Sequence, residues 1–364
     1  MDSDTRHMTR ALELASRGEG RVEPNPMVGC VIVRDGGCIG EGWHQRFGGP
    51  HAEIVALASV SGSPVGATMY VTLEPCCHRG KTPPCSDAII EAGINRVVVA
   101  QVDPFPAVAG RGIERLREAG IQVDVGVLEE AAQHLNAPFR KLVQQRMPWV
   151  IAKWAMTLDG KLASRAGHSR WISSPVSRER VHELRGRVDG IMIGRRTAEV
   201  DDPLLTVRPP ASRVPTRIVM DSRASLSLES RLVRTAREYP LLVAVSSDAQ
   251  ARCRVGLERA GCEVFSGSGM THGERLRELL LVLGERRMTN VLVEGGGTLL
   301  GTCFDVGVVD EVHVFVAPKV VGGRAAPTPV AGTGLAEMPE LSSLREPRIE
   351  VLEQDVYVSG RVVR

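Results

Sequence analysis

The sequence predicts an α/β protein built as two domains, residues 1–146 and 147–364. Two patterns carry that expectation. Short apolar runs of strand character alternate with segments of helical spacing, which implies helices layered on a central sheet. The alternation then restarts after Met147-Pro148, where Trp149 to Ala155 opens a fresh apolar strand.

In the first domain, Met8, Ala11, Leu12 and Ala15 recur at helical spacing, and Gly18 and Gly20 close that helix. Val28 to Val33 and Cys38 to Trp43 read as strands joined at Asp35-Gly36-Gly37, a hairpin signal. A helix from about His51, a strand at Met69 to Leu73 and a helix from Pro84 to Gly93 follow. Arg96 to Ala100 and Ile121 to Val125 add two strands with a helix between them. In the second domain, further strands fall at Gly190 to Ile193, Thr216 to Met220, Pro240 to Val245, Asn290 to Val293 and Glu311 to Ala317. Leu158-Asp159-Gly160-Lys161 reads as a turn, and Pro209-Pro210 and Gly267 to Gly269 read as loops.

Composition excludes several classes. Hydrophobic residues make up 43% and charged residues 24%, the balance of a globular protein in water. A net charge of +2 gives no general attraction to nucleic acid or anionic membrane. Met1 to Arg6 lacks the apolar core of a signal peptide, and no apolar run reaches membrane-span length. Of eight cysteines, Cys76, Cys77 and Cys85 cluster. Without a secretion signal, that clustering points to metal or catalysis in a cytoplasmic protein rather than to disulfides.

His51-Ala52-Glu53 enters one helix, and Glu74-Pro75-Cys76 through Pro84-Cys85 leads into another. A catalytic zinc takes three protein ligands and keeps one position open, and His51, Cys76 and Cys85 meet that need. Both segments put ligands near helix N-termini, where backbone N–H groups favour thiolate and hydroxide. Glu53 follows His51 too closely to be a ligand from the same helix, but it can serve water held at the metal. This is the His-x-Glu and Pro-Cys…Cys signature of zinc deaminases, in which the glutamate shuttles protons. A structural zinc closed by Cys77 or His78, in a binding module without catalysis, uses the same ligands but has no need of Glu53. A nucleic-acid deaminase has two residues between its paired cysteines; here positions 77–84 separate them, and aromatic residues are only 4%. That insert carries His78 and Lys81 to a pocket rim suited to a small anion. A deaminase of another free base or nucleotide stays open at this point.

The run from Thr72 to Cys85, with Asn25-Pro26, Gly40-Glu41-Gly42-Trp43-His44 and Val108-Ala109-Gly110-Arg111-Gly112, resembles the bifunctional riboflavin-biosynthesis deaminase–reductase family. The resemblance continues past residue 150 over nearly the whole chain. It implies a cytidine-deaminase-like three-layer domain followed by a dihydrofolate-reductase-like α/β domain. It also implies zinc and NADPH as cofactors. The implied substrate is 2,5-diamino-6-ribosylamino-4(3H)-pyrimidinone 5′-phosphate, deaminated and then reduced at its ribosyl group. By position, Asn25, His44, Lys81 and Asp103 match deaminase-pocket residues. Ala155, Trp171, Thr197, Asp201, Ser222 and the stretch Gly296, Gly297, Thr298, Leu299, Leu300, Gly301 and Thr302 match NADPH contacts. Lys153, Ser169, Arg185, Leu205, Arg208 and Glu294 match reductase-substrate contacts. The glycines from Gly295 do not form a dinucleotide fingerprint, because the third falls on Leu300. Two positions depart from the family: Cys77 stands where many relatives have serine, and Phe105, which makes no amide hydrogen bond, stands where many have asparagine. A homo-oligomer acting on a phosphorylated pyrimidine, with neither nucleic acid nor membrane as partner, completes the expectation.

Overall fold

In the computed structural model, which describes residues 2–77, 83–105, 109–209, 213–339 and 343–363, Asp35 and Gly36 take φ of 52° and 76°. Two consecutive positive φ values make the mirror-image turn whose twist matches that of a hairpin, and Asp-Gly tolerates it. The turn joins β1 (Gly29–Arg34) to β2 (Gly37–Trp43), after a first helix α1 (Ser3–Ser16). The chain continues through α2 (Ala52–Ala58), β3 (Thr68–Val71), α3 (Cys85–Glu91), β4 (Arg96–Val99), α4 (Arg111–Glu118), β5 (Gln122–Val125), α5 (Glu129–Leu135) and α6 (Ala137–Gln145). These elements form the compact unit Met1–Arg146, and a second unit spans Met147–Arg364.

The sheet of the first unit has the order β2-β1-β3-β4-β5, antiparallel on either side of β1 and parallel from β3 to β5. Alternate strand residues face opposite ways. Cys30, Ile32, Met69, Val71, Val97 and Val99 pack against α2, α3 and α4. Val31, Val33, Tyr70 and Val98 pack against Met8, Ala11 and Leu14 of α1 and Ala132 of α5. Both sheet faces are therefore covered, giving three layers. Helix α2 lies so close to β2 that a Cβ on Gly42 would stand 2.3 Å from Ala56 N and 2.6 Å from Ala52 O.

The second unit contains β6 (Trp149–Thr157), α7 (Pro175–Arg185), β7 (Gly190–Gly194), α8 (Arg195–Asp201), β8 (Thr216–Met220), α9 (Arg231–Arg234) and β9 (Leu241–Ser246). It goes on through α10 (Ala251–Arg259), β10 (Glu263–Gly267), α11 (His272–Glu285), β11 (Asn290–Val293), α12 (Gly297–Asp305), β12 (Glu311–Ala317), β13 (Leu344–Leu352) and β14 (Asp355–Val362). The sheet order is β10-β9-β8-β7-β11-β6-β12-β14-β13. Strands β10 to β12 in that order run parallel, and β13–β14 form an antiparallel hairpin at the edge. Leu184, Leu232, Val233 and Leu257 cover one sheet face, and Leu276, Leu280, Leu283 and Leu300 cover the other.

The alternation of strands and helices thus gives the expected α/β architecture, with local additions. Helices α5 and α6, strand β10 and the β13–β14 hairpin lie beyond the elements read from the sequence. Strand β10 ends on Gly267, which had read as loop. Strand β13, LREPRIEVL, is exposed over most of its length, so no buried face imposes an alternating pattern on it. Among the described residues no helix is long and apolar enough to cross a membrane.

Gly42→Ala forces α2 off β2. Overpacking of this kind costs about 1–3 kcal/mol, and a lowered denaturant midpoint for the first unit is the expected outcome.

Candidate active sites

In the first unit the metal-binding signature closes in space. His51 is the N-cap residue of α2, and Cys85 is the first residue of α3. The segment after β3 brings Cys76 against both. His51 Nδ1 lies 3.2 Å from Cys85 Sγ and 3.6 Å from Cys76 Sγ, and all three donor atoms fall within 4.8 Å of one another. Ligands about 2.0–2.3 Å from a tetrahedral zinc stand roughly 3.3–3.8 Å apart, so one imidazole and two sulfurs at these spacings fit that ion. Cys76 Sγ accepts hydrogen bonds from the Cys85 thiol and from the Cys85 N–H at 3.3 Å. These bonds and the neighbouring His51 draw its pKa down to about 4, while the shared proton and burial drive Cys85 up.

Glu53 stands in the first turn of α2 and is buried beside Cys85. Burial pushes its carboxyl up to about 7. Next to His51, the His44 ring lies edge-on at 5.8 Å between centroids. His44 Nδ1–H donates to Pro50 O at 2.9 Å, which leaves Nε2 to accept from Asn25 Nδ2 at 3.2 Å. Burial lowers the His44 pKa, in keeping with a neutral ring.

In the second unit a buried charge cluster forms around the middle of β6 and the carboxyl end of β11, the kind of strand end where open α/β sheets bind their ligands. Arg185 at the end of α7 grips Glu294 with both prongs, Nε to Oε1 at 2.5 Å and Nη2 to Oε2 at 2.7 Å. Burial works to raise the Glu294 pKa, yet Arg185 and Lys153 hold it below the usual carboxylate range. Burial lowers the Lys153 pKa against the opposing pull of Glu294, and the Phe315 ring lies 5.6 Å from its Nζ. Beside this cluster, Gly295 and Gly296 take φ of 97° and 86° and turn the chain from β11 into α12. A Cβ on Gly296 would reach 3.0 Å from Thr197 Oγ1, so glycine lets the backbone before α12 pass close to Thr197. The first N–H groups of a helix are open to phosphate, and the start of α12, which carries no side-chain cap, fits the phosphates of a dinucleotide cofactor.

Two family models match separate parts of the chain. The cytidine and deoxycytidylate deaminase zinc-binding region matches residues 1–101, and the RibD C-terminal domain matches residues 148–358. The riboflavin biosynthesis protein RibD of Actinobacillus pleuropneumoniae is 40% identical over 361 residues, covering 99% of this chain and 96% of that protein. The chain belongs to the RibD family. The Escherichia coli RibD is 38% identical and covers 94% of this chain and 93% of its own length. Among solved structures, the deaminase/5-amino-6-(5-phosphoribosylamino)uracil reductase of Thermotoga maritima is 36% identical, with a TM-score of 0.83 and 99% of both chains covered. Acinetobacter baumannii RibD gives 34% and a TM-score of 0.84, covering 100% of this chain and 99% of that one. The protein is accordingly a bifunctional enzyme of riboflavin biosynthesis, a zinc-dependent deaminase and an NADPH-dependent reductase in one chain.

The RibD-family residues named from the sequence group as follows. His51, Cys76, Cys85 and Glu53 come together, with Asn25 and His44 beside them. Lys81 and His78 lie outside the described residues. Asp103 accepts from Phe105 N at 2.8 Å, so the phenylalanine that replaces asparagine still contributes its backbone N–H; its ring is exposed. Cys77 is half-buried and is not among the three grouped donors. Lys153, Arg185 and Glu294 cluster. Leu205 is buried at φ 54°, and Arg208 is exposed. Ser169 Oγ lies 3.5 Å from Asp201 Oδ1, whose pKa burial raises. Trp171 is 64% exposed with Arg178 stacked 4.5 Å above its ring, so it is no core aromatic. Ala155 is half-buried beside Phe315, and Ser222 Oγ accepts from Arg275 at 3.4 Å. The stretch 296–302 is helical from Gly297 onward: Leu299 and Leu300 are buried, and the Leu300 N–H is spent on Gly296 O. This leaves the backbone at the start of α12, not those side chains, for a cofactor.

Two residues escaped the sequence reading. Glu74 appeared only as a letter in a motif, yet it is buried and accepts four backbone hydrogen bonds. His182, one helical turn before Arg185, feels Arg185, Glu294 and Arg208; burial and Arg185 lower its pKa. An i, i+3 spacing from Arg185 was its only signal.

Lys153→Met should make the second unit more stable at pH 7. The folded-state pKa of Lys153 lies below the ordinary 10.5, so the buried charge destabilises throughout the acidic and neutral range, and that cost fades as pH rises toward 10.5. A melting midpoint raised by a few degrees at pH 7 and a gain that vanishes near pH 10.5 are expected in thermal unfolding across pH.

Proposed function

We propose that residues 1–146 form the deaminase domain and residues 147–364 the reductase domain. The first acts on 2,5-diamino-6-ribosylamino-4(3H)-pyrimidinone 5′-phosphate, and the second reduces the deaminated product to 5-amino-6-(5-phospho-D-ribitylamino)uracil. The observation that carries this reading is a buried carboxylate, Glu53, set beside three donors of zinc-ligand type. A structural zinc site has no use for such a group.

Zinc held by His51, Cys76 and Cys85 would supply the acidity that makes water a nucleophile at neutral pH. Glu53 takes the proton from the attacking water and passes it to the ring nitrogen next to the amino-bearing carbon. It then hands a proton to the departing amino group, which leaves as ammonia. His44, neutral and fixed by Pro50 and Asn25, lines the same hollow and orients the pyrimidinone, and Asn25 and Asp103 complete the pocket. Lys81 answers the substrate phosphate as a point charge.

NADPH supplies the hydride, and the protein positions it. The N–H groups at the start of α12, with Thr197, Trp171, Asp201, Ser222 and Ala155, would hold the cofactor. Arg185 holds Glu294 ionised, which leaves that carboxylate without a proton to give. Lys153, whose ammonium is made more acidic by burial, is the better donor. It protonates the ring oxygen of the ribosyl group as the ring opens at C1′, the carbon that would receive the hydride. Ser169, Leu205 and Arg208 hold the substrate around that carbon.

The protein is further proposed to act in the cytoplasm as a homo-oligomer. Ile349, Val351 and Val356 extend an apolar strip past the covered sheet face of the second unit, and an uncovered strip of this kind suits self-association.

Glu53→Gln keeps shape and removes the proton shuttle. Ammonia release from the diaminopyrimidinone phosphate should fall by at least ~10²-fold, with zinc content unchanged and NADPH oxidation intact when the deaminated intermediate is supplied. Turnover that survives the substitution would refute this mechanism.

A further inference from the structure

The segment that carries Cys76 has a second task, and Glu74 performs it. Its buried carboxylate accepts hydrogen bonds from Asp103 N at 3.1 Å and Gly110 N at 2.9 Å on Oε2. On Oε1 it accepts from Gly112 N at 2.8 Å and Ile113 N at 3.3 Å. Gly112 and Ile113 belong to the first turn of α4, whose N-cap position is a glycine, Gly110, with no side chain to cap the helix. Glu74 thus supplies from a distant part of the chain the cap that α4 lacks, and an anion is what a helix N-terminus favours. The same carboxylate ties down the backbone of Asp103, just beyond β4.

The packing leaves no slack. A Cβ on Gly112 would stand 2.0 Å from Pro75 O and 3.2 Å from Glu74 Oε1, so α4 presses on the two residues before Cys76. Glu74 N–H is itself bonded to Gln101 O at 3.0 Å, and Ser86 N–H to Cys76 O at 3.1 Å. One short segment is therefore pinned to the chain beyond β4, to the start of α4 and to the start of α3.

We propose that Glu74 is a positioning residue of the deaminase: it fixes the substrate-binding backbone around Asp103 at a set distance from the metal ligands. The inference rests on the deaminase reading of this domain, in which Asp103 faces the substrate. An amide in place of the carboxylate turns an N–H₂ group toward two of the four backbone donors, so the Asp103 segment and the start of α4 come loose while the ligands themselves are untouched.

The test compares full-length wild type, Glu74→Gln and Gly112→Ala in the holoenzyme. Expected for Glu74→Gln is a deaminase KM raised about tenfold or more, because misplaced binding groups weaken substrate capture. One zinc per chain and the reductase rate on supplied intermediate should stay at wild-type values. Hydrogen exchange at the amides of Gly110, Gly112 and Ile113 should quicken, a change that activity alone does not report. Gly112→Ala pushes the same contact apart from the other side with Glu74 intact, and should raise KM likewise; it decides the matter if Glu74→Gln does not accumulate as folded protein. Unchanged KM and unchanged exchange in Glu74→Gln would overturn the proposal. So would loss of zinc in both variants, which would make Glu74 a support of the metal site alone. A wild-type enzyme that releases no ammonia from the diaminopyrimidinone phosphate would instead overturn the deaminase reading.

Discussion

A zinc ion asks that donors distant in sequence meet within a few ångströms, and the first unit is organised around that demand. His51 precedes Cys76 and Cys85 by helix α2, strand β3 and their connecting turns, yet the three donor atoms lie within 4.8 Å. Helix α2 can bring His51 and Glu53 to that point only because β2 offers glycine where the helix lies on it, as the 2.3 Å approach at Gly42 indicates. The parallel strands β3 and β4 deliver the cysteine segment and the Asp103 segment at their carboxyl ends, where sheets of this type hold their ligands.

The second unit meets a different constraint, which is to keep several charges in a dry place. Arg185 and Glu294 satisfy each other through two hydrogen bonds, and truncating one partner of such a pair typically costs about 3–5 kcal/mol. Among the described residues Lys153 has no such close mate, and burial lowers the pKa of its ammonium. A stable ion pair next to an uneasy lysine separates a group held in its charged form from one whose charge burial disfavours.

How much of this the sequence displayed follows from the kind of contact involved. Metal ligation uses few residue types at narrow spacings, so His51, Glu53, Cys76 and Cys85 stood out before any fold was known. The strands with both faces covered were equally plain, because burial writes itself as apolar runs. Glu74 did not stand out, since its four partners are backbone N–H groups lying 29 to 39 residues further on, and backbone atoms carry no letter. His182 was hidden because the groups it feels converge from α7, β11 and the segment near residue 208. The β13–β14 hairpin was missed for the opposite reason: with little buried on it, its residues are free to be charged. The glycine turn before α12 lacks the familiar dinucleotide fingerprint in its letters, and only coordinates show that Leu299 and Leu300 are buried.

Helix α6 ends at Gln145 and β6 begins at Trp149, so three residues, Arg146, Met147 and Pro148, join the two units. A covalent joint of any length makes the ratio of deaminase to reductase a property of translation rather than of gene regulation. Each finished chain delivers one of each, whatever the level of expression, and no imbalance between the two steps can arise from unequal synthesis of their catalysts.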